Sequence, residues 1–412
     1  MIFRPELSPP SLVQTKRKRQ ALPASWMRSG TSKGLFVNRR HLPKAQEAWA
    51  PWILAAMGSK TEDPRQIDGI GGATSTTSKV AIVSPSSHPG VDVEYTFAQV
   101  AVGKNKIDYS GNCGNIASGV GPFALEEGLV EVHPGQEKVD IHILNTNTGQ
   151  ILVETVAVDQ EGYYAEEGDF RIAGVKGTGS EIKLAFVDPA GAVTGKLFPT
   201  GNPEDTIVVD TPRATATPFS VQATLIDVAN PFVIVNSSSL PLGFLEGSPE
   251  WLDMIEDIRR KAAIMMDLAE TTEQAALTRG TPKVLLVSPP YSDAASDLDP
   301  RPNIFVLAMS MGQIHPSVQL TGAVCLGAAS FLKGTVVHKH FRGNSRASLA
   351  LNGEGSHADA TDYLCTRRKI HIAHRSGQIP VEVHLDGEQR VDRCSVSRTA
   401  RKLFEGNVLF YV

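Results

Sequence analysis

From Ala24 onward, short apolar runs recur along the chain, several of them alternating with polar positions and each bounded by Gly, Pro, Asn or Asp. Such runs predict β-strands. The first half offers 35–37, 79–83, 91–100, 138–144, 151–158 and 183–187, and the second half 219–227, 232–235, 284–287, 304–310, 369–373 and 380–384. Helical patterns are fewer. Residues 249–270 carry Trp251, Met254, Ile255, Ile258, Ala262 and Met265 near helical spacing, with Arg259, Arg260 and Lys261 on the polar side. This pattern predicts an exposed helix with one buried face. Residues 114–125 and 321–332 differ: they are rich in small residues, almost uncharged and apolar on every face. A helix apolar all round must be buried. Each is followed by a glycine suited to end it, Gly128 and Gly334.

These two apolar helices lie about two hundred residues apart, close to half the chain, which is a weak internal repeat. The expectation is an α+β protein of two similar domains, each a mainly antiparallel sheet wrapped round a central buried helix. The active site would then lie in the cleft between them. The boundary falls in the Gly, Pro, Asp and Thr cluster of 200–216, dividing 23–205 from 206–412, with a return of the last strand to the first domain left open. Residues 1–22 contain Pro9-Pro10 and the basic run Lys16-Arg17-Lys18-Arg19, and are expected to be a disordered extension.

Composition adds limits. A length of 412 residues allows two or three domains, and 41% hydrophobic with 20% charged residues is ordinary for a globular protein. The net charge of −4, without a long single-sign run in the body, proposes no nucleic-acid partner. No apolar stretch approaches about eighteen residues, so no membrane span is expected. Cys113, Cys325, Cys365 and Cys394 are irregularly spaced, with no metal-ligand pattern, so no metal or cofactor is expected and a reducing compartment is. The N-terminus lacks the apolar core of a secretory signal, and Glu6 with two prolines spoils an amphipathic presequence. A cytoplasmic location is expected, with a mitochondrial one as the alternative. A homodimer is compatible with the sequence, which does not decide it.

Two loops carry the candidate chemistry. Gly71-Gly72-Ala73-Thr74-Ser75-Thr76-Thr77-Ser78-Lys79 and Ser110-Gly111-Asn112-Cys113-Gly114-Asn115 each set one proton-transfer side chain among small residues. Gly permits positive φ, and the exposed N–H groups of such loops form nests for anions. A lone Cys is usually a small buried hydrophobe, and a Lys at a strand entry is usually solvated. Cys113, however, lies between Asn112 and Gly114 at a helix start, where the dipole favours a thiolate. A thiol and an amine among anion-holding loops suit removal of a proton beside a carboxylate.

In these motifs the chain resembles the 2-methylaconitate cis–trans isomerase (PrpF) family, of diaminopimelate-epimerase-like fold, and is similar to fungal aconitate and methylitaconate delta-isomerases. The resemblance runs from Leu22 to Val412. It rests on Pro23-Ala24-Ser25-Trp26-Met27-Arg28-Ser29-Gly30-Thr31-Ser32-Lys33-Gly34, Gln66-Ile67-Asp68-Gly69-Ile70-Gly71-Gly72, Thr77-Ser78-Lys79-Val80, Asn112-Cys113-Gly114-Asn115, Leu320-Thr321-Gly322-Ala323 and Arg398-Thr399-Ala400-Arg401. Asp227-Val228-Ala229-Asn230-Pro231-Phe232 resembles the Gly-Asn-Pro-His element of the epimerases. Those epimerases hold a second cysteine just before the Thr-Gly of their second domain. Here Val318, Gln319 and Leu320 precede Thr321, and Cys325 sits one turn inside an apolar helix, a core position. A two-thiol racemase is therefore disfavoured.

The resemblance implies a cofactor-independent isomerase of an unsaturated di- or tricarboxylate, with Lys79 and Cys113 as its acid–base pair. Which of the two takes the proton is left open, with a lean towards Cys113. Ser32, Lys33, Thr74, Ser75, Asn112, Gly114 and Asn115, and from the second half Lys283, His315, Thr321 and Gly322, are the candidate carboxylate holders. Arg28 either holds a carboxylate or caps structure. An amino-acid epimerase and a non-catalytic accessory protein of an iron–sulfur dehydratase are the competing readings.

Overall fold

A computed structural model describes residues 18–210, 217–290, 300–342, 366–388 and 390–412. In the first half, β1 (Arg19–Ser29) and β2 (Ser32–Asn38) form an antiparallel hairpin, and β2 runs parallel to β3 (Lys79–Pro85). Antiparallel β4 (Val93–Val100) follows β3, then takes the short β5 (Ile107–Asp108) and, in parallel, β6 (Lys138–Asn145). Antiparallel β7 (Gln150–Ala157) and β8 (Ile182–Val187) complete the set. After β9 (Asp205–Val209) the second half repeats that order. β10 (Phe219–Asp227) and β11 (Pro231–Asn236) are antiparallel, β11 is parallel to β12 (Lys283–Ser288), and β13 (Ile304–Ser310) is antiparallel to β12. β13 takes the short β14 (Gln313–Ile314) and parallel β15 (Thr366–His374), followed by antiparallel β16 (Gly377–Leu385) and β17 (Val391–Arg398). β17 pairs with β8, and β18 (Ala400–Tyr411) returns antiparallel along β1. The fold is thus mixed, dominated by sheet with few helices.

Each parallel pair needs a crossover, and helices supply it. α1 (Trp49–Ala56) lies between β2 and β3, and α2 (Gly114–Ala117) with α3 (Val120–Glu126) between β5 and β6. α4 (Pro249–Met265) with α5 (Thr272–Leu277), and α6 (Leu320–Ala329) with α7 (Val336–Arg342), occupy the equivalent places in the second half. Ile116, Val120 and Phe123 from the first half join Ala323, Val324 and Leu326 from the second in one large core. Two smaller cores lie under α1 and α4. Among the described residues, no helix is long and apolar enough to cross a membrane.

The structure corrects several expectations. Residues 19–22 belong to β1, with Leu22 fully buried, so the extension ends earlier than residue 22. The apolar stretch 114–125 is two helices, because Pro122 has no N–H for the Ser118 carbonyl and its ring crowds that group. The Gly119 N–H turns back to the Ile116 carbonyl at 3.0 Å instead. The helix expected to 270 ends at Met265, where Asp267 takes a left-handed φ of 57°. α1 and β9 were not foreseen: the Trp49–Ala56 run is too short and too uniformly apolar to show helical period.

Candidate active site

Lys79 is the first residue of β3 and stands opposite Gln99 in the antiparallel register with β4. Its Nζ donates to Gln99 Oε1 at 2.6 Å and lies 5.0 Å from the centre of the Phe97 ring. The preceding loop is fixed by the buried Gln66, whose Oε1 accepts from the Ala73 N–H at 2.8 Å and from Ser78 Oγ at 2.7 Å.

Cys113 is the half-buried N-cap of α2, and Gln319 is the N-cap of α6. The two helix starts meet closely: a Cβ on Gly114 would come within 2.5 Å of Leu320 Cδ2 and push that side chain aside. Asn230 ties them together. Its Oδ1 accepts from the Asn112 N–H at 2.9 Å, while its Nδ2 donates to the Asn112 carbonyl at 2.8 Å and to Thr321 Oγ1 at 3.1 Å. Asn115 is held on the other side, donating to Thr31 Oγ1 and accepting from Arg398 Nε, both at 3.1 Å. Burial pushes the Arg398 guanidinium down to about 9.

Lys283 opens β12 as Lys79 opens β3, and its Nζ lies 5.7 Å from the Phe232 ring centre. Burial lowers it to about 8, although Cys113 and Asp108 nearby favour the charged form. His315 is held down to about 4, chiefly by burial, and Ser317 shares its Nδ1. Asp108, a carboxylate at the same place, is taken up by the N–H groups of Ser110 at 2.8 Å and Gly280 at 2.9 Å.

These groups surround a cleft with about 580 Å³ of empty space, part of it open to solvent. Of the residues named from sequence, Ser32, Ser75, Lys79, Asn112, Cys113, Gly114, Asn115, Lys283, His315 and Thr321 line it. Lys33 and Thr74 do not: both side chains are exposed, and the Thr74 hydroxyl pairs with Thr77 at 2.7 Å. Gly322 is packed inside the first turn of α6 against Phe232. Arg28 caps structure, donating to the Thr399 carbonyl at 2.7 Å, away from the cleft. Cys325 and Cys394 are fully buried, and burial raises both thiols; Cys365 lies outside the described residues. The sequence reading missed Phe97, Gln99, Asp108, Met311 and Gln319 in the lining. Strand register brings Gln99 and Asp108 there, and no local motif marks them. Asn230 and Arg398 lay within motifs already noted, which was the available signal.

A family model described as PrpF protein matches residues 19–411. The chain belongs to the PrpF family. It is 35% identical over 403 residues to a 3-methylitaconate isomerase of Eubacterium barkeri, spanning 94% of this chain and 96% of that one. It is 34% identical over 411 residues to a 2-methyl-aconitate isomerase of Cupriavidus necator, spanning 93% and 96%. A crystal structure of methylitaconate-delta-isomerase superposes with a TM-score of 0.69 at 33% identity, covering 95% of this chain and 96% of that one. With relatives of this kind over nearly its whole length, this PrpF-family protein is an isomerase.

Proposed function

We propose that this isomerase acts on an unsaturated di- or tricarboxylate of the aconitate, 2-methylaconitate or methylitaconate type, by moving one allylic proton without a cofactor. The observation that carries the reading is one cleft holding a thiol and two lysines among hydroxyl, amide and backbone N–H groups. Two ammonium groups complement carboxylates, while the Asp108 carboxylate is already engaged by N–H donors.

Cys113 removes the proton from the CH₂ beside the double bond. The electron pair left on that carbon spreads over three carbons and onto a conjugated carboxylate, whose charge Lys283 and the loop N–H groups stabilise. Lys79 returns a proton to the same carbon after rotation, giving the cis–trans isomer, or to the far carbon, giving the shifted double bond. A positioned acid or base contributes about 10²–10⁴-fold. Gln319 at the place equivalent to Cys113 carries no thiol, which weighs against a symmetrical racemase.

The matching strand order supports a division near residue 205 into two similar units of epimerase-like form, the first opening with β1 at Arg19 and receiving β18 on its return. The free thiols Cys113, Cys325 and Cys394 fit a reducing compartment, cytoplasmic or mitochondrial. The test is incubation of chelator-treated protein with cis-aconitate, 2-methylaconitate and methylitaconate in D₂O. Isomer formation with deuterium entering at the allylic carbon is expected. Neither isomerisation nor exchange with any of the three would defeat the reading.

A further inference from the structure

Lys79, Gln99 and Asp108 stand in one row across three strands. Lys79 is opposite Gln99 in the β3–β4 register, and Gln99 is opposite Asp108 in the β4–β5 register. Directly opposed side chains share a face and interact. A neutral amide is therefore interposed between the lysine and the cleft's carboxylate. Gln99 is itself immobilised: Nε2 donates to the Ser78 carbonyl at 3.0 Å and to the Val100 carbonyl at 3.2 Å, which turns Oε1 towards Lys79 Nζ. Asp108 is drawn off the row by the N–H groups of Ser110 and Gly280.

From this arrangement we infer that Gln99 is a positioning residue that holds the Lys79 Nζ on a neutral acceptor at the cleft and apart from Asp108. The inference rests on the proposed role of Lys79 in proton transfer. Without the acceptor the Nζ is no longer tied to that place, and a misplaced proton-transfer group costs up to about 10²-fold in rate. A carboxylate at 99 keeps an acceptor for Nζ but loses the two donations to the Ser78 and Val100 carbonyls. The other titratable groups facing the cleft are Cys113 from the α2 cap, Lys283 from β12 and His315 from the segment before α6. They are common to all variants, so they do not account for differences between them.

The experiment compares wild type, Gln99→Glu, Gln99→Met and Lys79→Met, reading kcat and KM separately with cis-aconitate. Gln99→Met should lower kcat by about 10–10²-fold with KM within about twofold, a split that a merely structural role would not produce. Gln99→Glu, which keeps an acceptor for Nζ, should recover part of that loss. Thermal melts identify a variant that fails to fold, and the near-isosteric Gln99→Glu, expected between wild type and Lys79→Met, then carries the test. Wild-type kcat in a folded Gln99→Met, or in Gln99→Glu where only that variant folds, overturns the inference. Retained turnover in Lys79→Met overturns the underlying reading instead.

Discussion

Cys113 and Gln319 occupy the same place in the two halves, each capping the first turn of a buried helix at the cleft. One carries a thiol. The other carries an amide whose Nε2 is spent on the Met309 carbonyl at 2.7 Å. Lys79 and Lys283 match in the same way, each opening the third strand of its half beside an aromatic ring, and Lys79 additionally donates to Gln99. The helices behind them differ as well. Pro122 breaks the first, so α3 begins inside the core with free N–H groups, and the buried Glu154 accepts from Gly121. The second helix runs on unbroken, and Gly327 at the same place packs against Val381. Duplicated topology thus holds two unlike walls. The first carries the proposed proton-transfer groups with a buried carboxyl behind them, and the second supplies charge and shape.

The largest effects should follow from erasing the first wall's chemistry. Cys113→Ser and Lys79→Met should each lower kcat by at least about 10², read by NMR on the same substrate. Near-normal turnover in both would remove the functional difference between the halves.

Glu154 gives a stability test of the broken helix. Burial raises it from 4.5 to about 8. The folded state therefore holds a proton that the unfolded chain releases, and this group's contribution is present below about pH 4.5 and lost as pH rises towards about 8. Glu154→Gln keeps an acceptor for Gly121 and cannot ionise, so the decline in melting temperature across that window should flatten. The effect is on the order of a few kcal/mol at its alkaline end. Identical melting curves across that range in both proteins would sink the idea.

Lys283→Met should lower kcat/KM about tenfold, roughly 1.4 kcal/mol, through both a higher KM and a lower kcat, since the ammonium meets the carboxylate before and during proton transfer. In the wild type, KM should climb above about pH 8 as the ammonium loses its proton. A kcat loss as large as that of Lys79→Met would mean that both lysines serve the reaction alike. The smallest change is expected for Gln319→Ala, with turnover kept within about tenfold, because only the Met309 contact is lost. A loss matching Cys113→Ser would make the two caps equivalent.

Strands with apolar alternation and the two all-apolar helices were legible because burial leaves a local mark on composition. So were the Gly-rich and Asn-Cys-Gly-Asn loops, where the residues that shape the backbone and those that carry chemistry are neighbours. Lys33, Thr74 and Gly322 lie off the lining for the opposite reason: successive residues of a strand, a turn or a helix point in different directions, so sequence proximity to Ser32, Ser75 or Thr321 does not fix direction.

By itself the sequence determined most of the apolar strands, the long amphipathic helix, the repeat of two apolar helices, and the two loops bearing Lys79 and Cys113. These follow from period, from glycine's freedom of φ, and from residue chemistry within a few positions. Only the tertiary structure decided that Gln99 stands between Lys79 and Asp108, that Asn230 joins both helix starts, and that Lys283 faces the first half's thiol. Those relations depend on strand register and on the approach of segments about ninety or more residues apart. No local pattern encodes such distances; the packing of the whole core does.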